Sequence, residues 1–141
     1  MATDGKTLQT IDLAEGNGVR TLQVGRSPAS GQAAAFSPNG LLLAVGDSYH
    51  FNLWDLQLGS ELPKITGSEI GWSALFAPDN QHLIIGGNGV INFWDAKTQS
   101  LVQSFPVTNS FYIRAINTNA AGSLIVCPSG HSSVGIYQAS P

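Results

Sequence analysis

Ala34-Ala35-Phe36-Ser37-Pro38-Asn39-Gly40 returns 40 residues later as Ala74-Leu75-Phe76-Ala77-Pro78-Asp79-Asn80, and Leu53-Trp54-Asp55 returns at the same offset as Phe93-Trp94-Asp95. A repeat of this length decides the fold. Each copy is one supersecondary unit that cannot bury its apolar side alone and must stack on a neighbour.

Within the first full copy, short apolar runs punctuated by Gly, Pro and Asn predict strands near 32–37, 41–46, 50–55 and 62–66. Ser37-Pro38-Asn39-Gly40 is the first turn, with Asn-Gly expected to supply positive φ angles. The second copy predicts strands near 72–77, 82–86, 90–95 and 101–105, with Pro78-Asp79-Asn80 and Gly86-Gly87-Asn88-Gly89 as turns. The third is worn, with strands expected near 112–117, 123–127 and 133–138. Upstream, Asp12-Leu13-Ala14-Glu15-Gly16 matches Asp55-Leu56-Gln57-Leu58-Gly59 at an offset of 43, and Val19 and Leu22 fall on Leu62 and Ile65. The N-terminal stretch therefore reads as the third and fourth strands of a unit. Four-stranded units repeating at this period imply an all-β, incomplete β-propeller, with a half-blade at about 4–24 and repeats at about 25–66, 67–106 and 107–141.

The turn-strand-Trp-Asp pattern resembles the WD40-repeat proteins. Ser37-Pro38-Asn39-Gly40 followed by Leu43 and Leu53-Trp54-Asp55 is one match, and Gly87 to Asp95 is another. Where that family places Gly-His before the innermost strand, this chain has Gly25-Arg26 and Gly67-Ser68, and Ile136-Tyr137-Gln138 replaces the third Trp-Asp end. The family's hydrogen-bonded His, Ser/Thr, Asp and Trp network is therefore not assumed here. The resemblance implies a four-stranded antiparallel blade and a non-enzymatic scaffold for a protein or peptide partner. A propeller needs roughly four to eight blades and this chain carries about three. It is expected to be a fragment of a longer propeller, or a protomer completed by further blades or by forming a homodimer. The alternative is a piece of a larger propeller enzyme or ligand sensor whose active residues lie in other blades.

Composition narrows the partner class. Only 11% of the 141 residues are charged against 43% hydrophobic, so disorder is not expected. The net charge of −3 is unclustered and offers no footprint for a phosphate backbone, which argues against nucleic acid. No window reaches the roughly 18 apolar residues of a membrane span, and Met1 to Gly5 lacks a signal-peptide profile, so a cytoplasmic setting is expected.

Chemistry-bearing residues read as structural. Asp55 and Asp95, at equivalent positions, are expected to accept backbone N–H bonds in strand-end turns. His50, His82 and His131 have no metal-ligand spacing, and Cys127, the single cysteine, follows an apolar run as a buried thiol would. No nucleophile elbow, phosphate loop or calcium-loop pattern occurs, so neither an enzymatic activity nor a cofactor is expected. Trp54 and Trp94 read as core. Trp72, Phe111 and Tyr112 instead fall at the entries of the innermost strands of repeats two and three, with Arg26 and Arg114 at nearby positions. These five are the candidate partner-binding residues, with packing between neighbouring blades as the alternative reading.

Overall fold

The computed structural model describes residues 7–12, 18–23, 33–46, 50–66, 71–107, 112–129 and 133–138. They form an all-β structure of antiparallel meanders. An N-terminal hairpin pairs β1 (Thr7–Asp12) with β2 (Gly18–Gln23). Sheet I runs in chain order through β3 (Ala33–Phe36), β4 (Leu42–Gly46), β5 (Phe51–Asp55) and β6 (Ser60–Ile65). Sheet II repeats it with β7 (Ser73–Phe76), β8 (His82–Gly86), β9 (Val90–Asp95) and β10 (Ser100–Pro106). Sheet III has three strands, β11 (Asn117–Thr118), β12 (Leu124–Ser129) and β13 (Ser133–Gln138), and no sheet closes on itself. Among the described residues there is no helix long and apolar enough to cross a membrane.

The first turn of each sheet shows why the repeat folds this way. Gly40 N–H donates to Ser37 O (2.8 Å), Asn80 N–H to Ala77 O (3.1 Å) and Gly122 N–H to Asn119 O (2.9 Å). The donor residues sit at φ of 71°, 62° and 71°. One left-handed residue thus closes each turn, which selects Gly or Asn there. The expectation that Asn39 shares a positive φ with Gly40 is corrected, since Asn39 does not. Its Oδ1 instead accepts from Ser37 Oγ (2.7 Å) and from Leu41 N–H (3.1 Å). Pro63 and Pro106 lie on β6 and β10, the outermost strands of their sheets, where a missing N–H leaves no ladder bond unmade.

The strand expected over 112–117 shortens to Asn117–Thr118. The cause is competition from the neighbouring sheet. Ile113 N–H donates to Gly87 O (3.1 Å) and Ile113 O accepts from Ser73 Oγ (2.7 Å), so this backbone is satisfied by sheet II rather than by β12.

Sheets stack through alternating apolar faces. Ala44, Phe51, Leu53 and Ile65 of sheet I are buried together with Phe76, Leu83, Ile85 and Trp94 of sheet II. Ile84 and Ile91 on the opposite face of sheet II pack with Ile113, Ile125 and Cys127, and with the partly buried Tyr137. Burying each of the Leu, Ile and Phe side chains among these contributes about 1.5–3 kcal/mol, so the two interfaces dominate the stability of the described sheets. Leu43, Val45 and Trp54 form a third buried group on the other side of sheet I.

Candidate functional site

Trp72 precedes β7, and its N–H donates to Gly86 O (2.8 Å), carrying the β7–β8 ladder one residue further. Tyr112 stands 40 residues on, at the equivalent place before sheet III. Repeat-equivalent residues of adjacent sheets become neighbours, and the Trp72 and Tyr112 rings meet edge to face with centroids 5.2 Å apart at 74°. The Arg114 guanidinium lies over both, 5.5 Å from the Trp72 centroid and 5.9 Å from that of Tyr112. A cation on an exposed aromatic face gains about 0.5–1 kcal/mol. The guanidinium thus rests on the two rings while Arg114 as a whole stays exposed.

The scaffold beneath is tight. Ser73 Oγ–H and Ile113 N–H clasp the Tyr112–Arg114 segment to sheet II through the two bonds given above. A Cβ on Gly86 would stand 2.5 Å from Ser73 Oγ and 2.6 Å from Ile113 Cγ2, so only glycine permits this approach. Tyr112 is 54% exposed, Arg114 is exposed and Trp72 is half-buried. The Trp72 indole N–H is buried without a hydrogen-bond partner, and among the described residues no carboxylate pairs with Arg114. The cluster therefore packs between sheets and also faces solvent. Phe111 and Arg26 lie outside the described residues.

Asp55 Oδ1 accepts from Gln57 N–H (2.9 Å) and Leu58 N–H (2.8 Å), and Asp95 Oδ1 from Lys97 N–H and Thr98 N–H, both at 2.8 Å. These are the strand-end turns expected of the Trp-Asp pairs. The Thr98 amide bond, joined by that of Lys97, holds the Asp95 carboxyl below its ordinary value. The indole N–H groups of Trp54 and Trp94 have no hydrogen-bond partner, so neither Trp-Asp pair belongs to an indole-anchored network. An unmade bond of this kind costs about 1–3 kcal/mol.

His82 opens β8 just after the turn, and its Nδ1 lies 2.6 Å from Asp79 Oδ2, a contact that sequence spacing alone did not single out. Partial burial raises the Asp79 pKa, but the bond to His82 and the amides of Gln81 and His82 outweigh it, and the net shift is downward. Cys127 is buried between sheets II and III, and desolvation pushes its thiol pKa up. His131 lies outside the described residues. Among those described, no group of three or more His, Cys, Asp or Glu side chains could hold a metal ion.

No family model and no curated protein matches this chain. Among solved structures it is similar in fold to Kuenenia stuttgartiensis hydrazine synthase, at 19% identity and a TM-score of 0.76. The likeness covers 95% of this chain and 40% of that one, so the chain spans about two fifths of its neighbour. In all, 859 solved chains share the likeness, and a fold so widely used does not specify chemistry.

Proposed function

We propose that this chain is part of a WD40-like β-propeller acting as a non-enzymatic scaffold, with Trp72, Tyr112 and Arg114 forming a docking point for a protein or peptide. The observation that carries the reading is the stacked Arg114 guanidinium, held over two aromatic rings with no carboxylate partner among the described residues. Arg and aromatic side chains at a rigid, solvent-facing point are the usual anchors of an interface, because little side-chain entropy is left to lose on binding. The repeated stacking of four-stranded meanders in chain order supports the propeller architecture.

The test is affinity capture with the wild-type chain, followed by titration of each captured protein against Tyr112→Ala and Arg114→Ala. A hot-spot role predicts binding weakened roughly tenfold or more, with unchanged thermal melting. Partners that bind both variants as they bind the wild type would exclude this site.

A second reading comes from the neighbour's name, which is that of an enzyme. On that reading the chain is a piece of a larger propeller enzyme or ligand sensor whose reacting groups come from further blades. A longer reading frame carrying more repeats and acidic or His-rich channel loops would favour it.

A further inference from the structure

The charges of the described side chains divide between the two ends of the sheets. Register places Ser73, Gly86 and Ile91 at one end of sheet II, where Trp72 leads into β7, and His82 and Asp95 at the other. Sheet I is laid out in the same sense, and the bond from Asn39 N–H to Asn80 Oδ1 joins the first turns of the two sheets at that second end. All the carboxylates whose side chains are described, Asp55, Glu61, Asp79 and Asp95, lie at this turn end. The three Asp carboxylates there are already engaged by turn N–H groups, and Glu61 lies 3.9 Å from Lys64.

The Trp72–Tyr112–Arg114 cluster occupies the opposite end. Ile113 is 0% exposed and its backbone is bonded to Gly87 and Ser73, so Tyr112 and Arg114 emerge on either side of a fixed residue. Contact with two rings uses none of the five N–H donors of a guanidinium, and no acceptor meets those of Arg114 among the described residues. Lys64 and Lys97, the other cations whose side chains are described, lie on the outermost strand of sheet I and in the turn after Asp95. Arg114 therefore acts as one positive charge, not as part of a cationic group. A phosphate, with nearly two negative charges, is read by several cations together, whereas one planar guanidinium matches one carboxylate through two parallel N–H···O bonds.

Starting from the docking point proposed above, on which this inference rests, we infer that the ligand is an acidic peptide. One Asp or Glu carboxylate of the peptide pairs with Arg114, and an adjoining apolar side chain lies on the open ring of Tyr112. The carboxylates at the turn end disfavour the same peptide there, so charge selects the end as well as the residue.

The test is selection of random short peptides, displayed through their C-termini, on the wild-type chain and on Arg114→Ala. Wild type is expected to enrich peptides with Asp or Glu next to an apolar residue, and Arg114→Ala to lose that enrichment. Replacing the acidic residue of a selected peptide by its amide should weaken binding to wild type roughly tenfold and change binding to Arg114→Ala little, because the two groups act as a pair. Circular dichroism and thermal melting of the variant verify that it is folded. Selected peptides that lose affinity for Arg114→Ala and Tyr112→Ala yet carry no preferred carboxylate overturn the acidic ligand and leave the docking point standing. Peptides that bind both variants as they bind wild type, or a wild type that selects none, overturn the docking point as well. A phosphoserine in place of the acidic residue that binds more tightly than Asp or Glu overturns the carboxylate in favour of a phosphopeptide.

Discussion

Asp79 and Asp95 are the residues whose chemistry the structure changes most plainly, because each carboxylate accepts backbone N–H bonds at a turn. Both pKa values lie below their ordinary 3.8. A carboxyl depressed by folding stabilises the folded state above its unfolded pKa, and that contribution is lost as pH falls through the folded value. These two groups should therefore leave stability flat from about pH 5 to 7 and lower it below about pH 4. Urea midpoints at pH 7 and pH 3 should lie further apart for the wild type than for Asp95→Asn, and an equal gap would remove Asp95 from the acid response. The role of Asp55 and Asp95 was legible because the Trp-Asp pair recurs and short polar side chains favour such turns. The bond from Asn39 N–H to Asn80 Oδ1 (2.7 Å) was not legible, since it joins turns one repeat apart and depends on how sheets stack.

At the scale of elements, the strand runs read from the sequence fall where the strands lie wherever pairing is local to one meander. The stretch 112–117 is the exception. Its residues have the composition of a strand, but their hydrogen-bond partners, Ser73 and Gly87, belong to another sheet. No local pattern encodes that choice. The same junction builds the candidate site, so the meeting of Trp72 with Tyr112 could be anticipated from their one-repeat separation, whereas the position of Arg114 over both rings could not. Gly86 holds the junction together. Gly86→Ala should cost about 1–3 kcal/mol by forcing apart Ser73 and Ile113. The accompanying sign is a changed near-ultraviolet circular dichroism from the displaced Trp72–Tyr112 pair. A variant with wild-type urea stability and an unaltered aromatic spectrum would show that the clasp is not rigid.

Over the whole molecule, two interfaces between three successive sheets carry most of the buried apolar surface, and sheet III shares only one of them. Cys127 lies in that interface, 2% exposed and the single cysteine of the chain. Its raised pKa and its burial leave little thiolate within reach of a reagent. Alkylation must therefore wait for sheet III to lift from sheet II, which makes the rate of iodoacetamide labelling a clock for that opening alone. Labelling is expected to be orders of magnitude slower than in the urea-unfolded chain, and to depend less steeply on denaturant than global unfolding does. A denaturant dependence as steep as that of global unfolding would show that sheet III does not open on its own. The single thiol of the chain thus serves as an internal timer of how firmly sheet III is held.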